Sequence, residues 1–398
     1  MRVGTFGFVP ARLQEARAAR RIKTQKQLAE LLQVASSSVS RWEKGEIAPD
    51  ADALSALAHV LGVRREYFLR PAFESDRPMF HRQLTSTSVQ DLRYQSAQMN
   101  WLQEISSTLQ HYVDFPEVDI PDVLGGASWR QLREDDIESI ALELRRYWGV
   151  GEGPCGDIVP LLERIGIIVG TIEMGTSRLD GLCSWSSSEV RPHILLATDK
   201  MSFPRRQMDG AHELAHAVLH KNVSAEDFEE NLKEIEDQAF RLASAFLMPS
   251  TTYPYEVNSL SLSSFLYLKE RWRVSIKAQI RRLTDLEMIP KDHATNLYKL
   301  YSAKGWNRGE PLDQEWAITP PRALKDALNL IVSSGVRTKK DLLSLEFTMS
   351  AADIENLSSL PSGWFLQREG EIVQLRTSDS RSPSRLGSTG EVLQFPRR

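Results

Sequence analysis

Apolar residues recur at helical period over most of this chain, broken by short polar or Pro-rich stretches and by two brief runs of strand character. Thr24-Gln25-Lys26-Gln27 has capping-box spacing, and Leu28, Ala29 and Leu32 give the helix it opens an apolar face. Gln33 leads into a second short helix whose Val39 and Trp42 point inward. Further on, Leu102, Ile105, Leu109 and Tyr112 share one face of a helix predicted over Val89–Val113. After the Pro-rich turn Phe115–Asp122 a helix is predicted over Glu134–Trp148. Met208, Ala211, Ala215, Val218 and Leu219 mark the next, and Ala239, Phe240, Ala243, Phe246 and Leu247 another. Leu179–Trp185 and His193–Thr198 read as strands of a small sheet beside the Met208–Leu219 helix. The fold class this predicts is mainly α with a small β-sheet, an α+β arrangement.

The sharpest chemistry sits on one of these helices. His212-Glu213-Leu214-Ala215-His216 places two imidazoles at i and i+4, one above the other on a single helical face, where both can reach one cation. Nitrogen ligands of this kind suit zinc. A catalytic zinc needs a third protein ligand and an open fourth position. Glu236 lies on the apolar stripe of the following helix, where a lone carboxylate is costly unless paired or metal-bound. It is therefore the predicted third ligand, and Glu213, between the histidines, the predicted general base. His220, one turn beyond His216, reads as a cation favoured by the helix C-terminus. Cys155 and Cys183 accompany no distinctive histidine pattern, so a cysteine nucleophile finds little support.

The two short helices after Thr24 form a helix-turn-helix pattern. Ser36, Ser37, Ser40 and Arg41 would be available to the major groove, with Gln25 beside them and Lys26 and Lys44 near phosphates. Residues 1–70 carry twelve Lys/Arg against seven Asp/Glu, a net of +5 in a chain whose net charge is −4. Basic charge is thus concentrated where double-stranded DNA is expected. Serines offer few bidentate base pairings, so sequence preference would rest on dimerisation and DNA shape.

From Arg12 to Phe68, the runs TQKQLAELLQ, SVSRWEKGEIAPD and LSALAHVLGV resemble an XRE-type, Cro/repressor-like five-helix module. Ala35 stands where such modules often have a polar cap. RQMDGAHELAHAVLH from Arg206 to His220, with EDQAFRLASAFLMP from Glu236 to Pro249, resembles the ImmA/IrrE family of zinc metallopeptidases. The likeness extends more weakly from about Asp136 through Arg282, including LDGLCSW near Leu179 and RPHILLATDK ending at Lys200. It implies a zincin-like peptidase with His212, His216 and Glu236 as zinc ligands and Glu213 as base. Gln238 stands where many members have Glu, a departure at a supporting position.

At 398 residues, 41% hydrophobic and 26% charged, the chain is long enough for several cores. The expected division is a helix-turn-helix module over 1–70, a helical connector over 71–133, the peptidase over 134–290, a helical C-terminal region over 291–376 and a disordered tail over 377–398. Within this, Leu262–Leu283 is expected to pack as a helical extension, with Arg281 and Arg282 as surface charges, and Ala323–Leu360 to form a small helical module. No apolar run approaches a membrane span and two isolated cysteines suit a reducing compartment, so a cytoplasmic location without membrane contact is expected.

Together these readings predict a DNA-binding endopeptidase that cleaves one specific protein. By resemblance that protein is a repressor or antitoxin in a stress-response or phage-defence setting, with a homodimer as the candidate form on paired half-sites. Two alternatives stand beside it: a toxin-antitoxin component with a toxic peptidase domain, and a non-catalytic regulator whose peptidase fold senses a metal or ligand.

Overall fold

The computed structural model describes residues 4–73, 78–81, 88–175, 180–186, 190–199 and 202–367. Helices α1 (Pro10–Ala19), α2 (Gln25–Leu32), α3 (Ser36–Glu43) and α4 (Ala51–Leu61), with a 3-10 turn over Arg65–Leu69, build the N-terminal module. Its boundaries follow local chemistry. Gln27 N donates to Thr24 Oγ1 at 3.1 Å while Gln27 Oε1 accepts from Thr24 N at 3.2 Å, the predicted capping box. Asp50 caps α4 by accepting from Ala53 N at 2.9 Å, and Gly62 ends it at φ +59°, a conformation glycine adopts without strain. Ala35 caps α3 with no side-chain hydrogen bond.

Next come β1 (Phe80–His81), α5 (Val89–Leu109), α6 (Glu134–Tyr147), α7 (Ile158–Arg164), β2 (Ile168–Ile172), β3 (Gly181–Ser186) and β4 (Arg191–Ala197). Helices α8 (Phe203–Leu219), α9 (Ala225–Glu230), α10 (Leu232–Leu247), α11 (Leu262–Trp272), α12 (Ile276–Asp285) and α13 (Lys291–Ala303) follow. The C-terminal part holds α14 (Ala323–Ser333), α15 (Lys339–Asp341) and α16 (Ala351–Leu357). The strands form one sheet in the order β1-β3-β4-β2, antiparallel except for the parallel β2–β4 pair.

Both faces of this sheet are covered, which is why β3 and β4 are buried along their whole length. Alternate residues face opposite ways. Val169, Cys183, Ile194 and Leu196 join a core built with α6 to α8 and α10 to α13. Ile168, Leu182, Leu195 and Ala197 join a second core. That second core also takes Leu13 and Ala16 of α1, Leu57 of α4, Trp101, Leu102 and Ile105 of α5, Leu328 of α14 and Leu357 of α16. Gly170 makes the close approach possible, because a Cβ there would lie 2.7 Å from Leu102 Cδ1 and 3.0 Å from the Leu357 carbonyl oxygen.

Packing therefore ignores segment order. The helix predicted over Val89–Val113 lies between the N-terminal module and the sheet, and α14 and α16 close the same core from the far end of the sequence. Ion pairs fix the arrangement. Arg20 forks onto Asp353 with both contacts at 2.6 Å, and buried Arg12 bridges Glu15 and Glu104 at 2.7 Å each. Trp101 Nε1 donates to Tyr67 Oη at 3.0 Å. Removing one partner of a buried pair typically costs about 3–5 kcal/mol, because the other charge is left uncompensated.

Two expectations change. The expected helical connector over 71–133 contributes β1 to the sheet edge; a two-residue strand has no periodicity of its own and is set by its partner. Arg282 is fully buried, bridging Glu138 at 2.7 Å and the Met248 carbonyl at 2.8 Å, whereas Arg281 is exposed and pairs with Asp285 as a surface charge would. The tail 377–398, with Leu179 and Lys200, lies outside the described residues. Among the described residues, no helix is long and apolar enough to cross a membrane.

Candidate metal centre

Helices α8 and α10 pack side by side, and their apolar faces dictate what meets between them. On α8, Ala211, Leu214, Ala215 and Val218 are buried, and so are His212, Glu213 and His216 at 6%, 3% and 0% exposure. On α10, Ile235, Ala239, Leu242 and Ala243 carry the contact, and Glu236 projects toward the histidine pair. His212 Nε2 and His216 Nε2 are 3.1 Å apart. Glu236 places one oxygen 3.3 Å from His212 Nε2 and the other 3.4 Å from His216 Nε2. A tetrahedron with metal–ligand bonds of about 2.0–2.1 Å has edges of about 3.3–3.4 Å, so each of these separations is close to one such edge.

Hydrogen bonding agrees with that spacing. Both Glu236 oxygens and His212 Nδ1 are buried with no hydrogen-bond partner among the described residues, a costly arrangement unless a cation compensates. Burial pushes the Glu236 carboxyl up, but His212 and His216 outweigh it and hold the group well below the usual carboxylate range. Glu213 goes the other way: burial, then the charges of Glu236, Asp209 and Asp180, raise it well above that range.

A chain of hydrogen bonds fixes the orientation of His216. Gln238 Nε2 donates to the Trp129 carbonyl at 3.0 Å, and a carbonyl can only accept. Gln238 Oε1 therefore faces His220 Nε2 at 3.1 Å, which must donate to it. His220 Nδ1 is then the acceptor for His216 Nδ1 at 3.0 Å. His216 is left with its Nε2 lone pair directed at His212 and Glu236, the tautomer a metal ligand needs.

His220 is thus not the helix-end cation predicted from its position. It is fully buried, and burial together with His216 pushes its pKa down to about 3, so it is neutral. The sequence signal was Gln238, whose amide can serve both His220 and a backbone carbonyl. Sequence reasoning also missed Gly181. A Cβ there would lie 2.6 Å from Glu213 Oε1 and 2.8 Å from Glu213 Cγ, so the strand passes Glu213 only because residue 181 has no side chain.

Phe80 was missed as well. Its ring stacks on His216 with centroids 5.0 Å apart and planes 11° apart, and meets Phe228 edge-on at 5.3 Å. No local pattern marks a single Phe in a polar segment as part of a site formed by distant helices.

The groove-facing residues predicted in the N-terminal module are distributed as follows. Ser36, Ser37, Arg41 and Lys44 of the α3 region and Lys26 of α2 are exposed, with Ser40 half-buried. Gln25 is engaged inside the module: its Nε2 donates at 2.8 Å to Glu43, which is buried and paired with Arg17. The cationic heads are held by surface pairs only, Lys26 with Glu30 at 3.9 Å and Lys44 and Arg41 with Glu46 at 3.9 and 3.6 Å. Such pairs are worth little and yield readily to phosphate.

Two family models match the chain. Residues 13–68 match the family described as Helix-turn-helix, and residues 162–284 match the IrrE N-terminal-like domain of the M78 peptidases. The two spans fall where the sequence resembles an XRE-type module and an ImmA/IrrE peptidase, so the fusion of the two is borne out. No curated protein matches the chain. The chain pairs a helix-turn-helix DNA-binding module with a peptidase-like domain.

Proposed function

We propose that this chain is a DNA-binding zinc endopeptidase, with DNA contacts in residues 1–70 and hydrolysis within 134–290, that cleaves a specific intracellular protein such as a repressor or antitoxin and so couples proteolysis to transcription. The observation that carries it is the convergence of His212 Nε2, His216 Nε2 and the Glu236 carboxylate at separations of 3.1 to 3.4 Å, beside buried Glu213. His212, His216 and Glu236 would hold the ion, whose nitrogen and oxygen donors suit zinc. Bound there, zinc would supply the Lewis acidity that activates water and polarises a peptide carbonyl.

The chain's own residues do the rest. Glu213 accepts a proton at its carboxylate and returns it to the leaving amine nitrogen, and its burial, with the charges around it, favours a carboxyl that holds that proton. Gly181 leaves room for this carboxylate, while His220 and Gln238 keep His216 in one tautomer. On the DNA side, exposed Ser36, Ser37 and Arg41 face the groove, with Lys26 and Lys44 at phosphates.

The test compares new protein N-termini in host cells producing the wild-type chain with those in cells producing Glu213→Gln, which keeps the three ligands and removes the base. One or a few termini that depend on Glu213 are expected, and they name the target. Identical profiles under inducing and non-inducing conditions would overturn the peptidase reading.

A further inference from the structure

The edge of β3 is already taken. In the order β1-β3-β4-β2, β3 would be the outer strand beside the α8 histidines, and its free edge is paired with Phe80–His81 from the segment joining the N-terminal module to α5. An open strand edge is a template for an extended peptide. Here the pairing is antiparallel, Phe80 opposite Cys183 and His81 opposite Leu182, and the next β3 residue is Gly181, which lies against Glu213. The described pairing therefore ends one β3 residue short of the glycine that lies against Glu213.

The Phe80 side chain is turned toward the α8 histidines. Phe80, 1% exposed, fills a pocket made by His216, His220 and Phe228, face to face with the His216 ring and edge-on to Phe228. Stacking of this kind selects a flat aromatic ring over a small or charged group. Among the described residues the ladder is two residues long, and Phe80 supplies the buried ring that seats the occupant.

We propose that the β3 edge and the Phe80 pocket form the peptide-binding subsite, that residues 78–81 occupy it in cis, and that a substrate displaces them by presenting an aromatic side chain beside His216. This rests on the peptidase reading and specifies its substrate class. A tethered occupant has an effective concentration on the order of millimolar, so it competes strongly with any peptide added in trans.

The probe is a fluorescein-labelled peptide copying residues 76–86, Asp-Arg-Pro-Met-Phe-His-Arg-Gln-Leu-Thr-Ser. Its affinity is measured by anisotropy on the full-length Glu213→Gln chain, which cannot cleave it, and on Glu213→Gln/Phe80→Ala. At least tenfold tighter binding to the double variant is expected, lost when the peptide's Phe is changed to Ala. Equal affinity in the two backgrounds, or an Ala peptide that binds as well as the Phe peptide, would overturn the proposal. Should Phe80→Ala fail to fold, hydrogen exchange on the Glu213→Gln chain decides. Added peptide should speed exchange across 78–81 while 181–186 stay protected, and unchanged exchange at 78–81 under saturating peptide overturns it. Both readouts are independent of hydrolysis. No Glu213-dependent new N-termini in cells producing the wild-type chain, with the tenfold gain intact, would refute the peptidase and keep the subsite; such termini without the gain would do the reverse.

Discussion

Gln238 Oε1 lies 3.1 Å from His220 Nε2, two residues along α10 from Glu236 and two helical turns of α8 from His212. Because the other end of the same amide is committed to the Trp129 carbonyl, this contact sets the proton positions as far as His216. Gln238→Ala removes the anchor. Loss of such a supporting contact should weaken metal binding about 10–100-fold, read by competition with a chromogenic chelator. Gln238→Glu can still accept from His220 and should lose much less; equal losses would show that the Trp129 contact matters and the orientation of His220 does not.

Gly181→Ala introduces a methyl group within 3.0 Å of three Glu213 atoms. The Glu213 carboxylate must move, while the three proposed ligands, His212, His216 and Glu236, are not among the atoms the methyl meets. Metal content should stay near one ion per chain, and peptide hydrolysis should fall by about 10²–10⁴-fold, the usual contribution of a positioned proton acceptor. Unchanged turnover with full metal would remove Glu213 from the reaction.

His193 gives an acid limit on stability. It is fully buried in β4, and burial pushes its pKa down to about 3. In the unfolded chain an ordinary histidine takes up its proton at about 6.5, so the unfolded state binds more protons between these values. Stability is therefore complete above about pH 6.5 and is lost as the pH falls toward 3. Between pH 7 and pH 5 this one group should cost about 2 kcal/mol in urea unfolding, measured with chelator present so that metal release does not contribute. His193→Gln should flatten the pH dependence by that amount; an unaltered slope would mean that His193 is not kept neutral.

Lys44 and Arg41 are exposed and only loosely paired with Glu46. On a mixed-sequence duplex, Lys44→Ala should lower affinity and reduce the slope of log affinity against log salt by about 0.9, the signature of one lost phosphate contact. Ser37→Ala should leave the slope intact. A slope insensitive to Lys44 would move the DNA face away from α3.

What the sequence revealed here depended on where the information was stored. His212, Glu213 and His216 sit within one helix and Glu236 within the next, so a 3.6-residue period is enough to place them on facing stripes. The capping box at Thr24 is equally local. Phe80, Gly181 and Trp129 act across strand edges and loops, and their positions are set by partners a hundred or more residues away in two of the three cases. Helix α5 misled in another way. Gln95, Gln98 and Gln103 suggest a helix with one wet side, yet all three are buried because the N-terminal module covers one flank and the sheet the other. Arg12, Arg145 and Arg282 look like surface charges until their carboxylate and carbonyl partners are known.

The Arg20–Asp353 fork joins positions 333 residues apart. At ribosomal speeds of roughly 5–20 residues per second, something like 15 to 70 s must pass between the emergence of one and of the other. For that interval the newborn DNA-reading helices wait with an apolar flank uncovered, and the pieces that will cover it, α5 first and then α14 and α16, arrive in instalments. The last of them is made only after the whole peptidase-like region has left the ribosome. A chain interrupted after that region would carry every proposed zinc ligand and every proposed groove contact, and would still lack the clasp that seals its first helices.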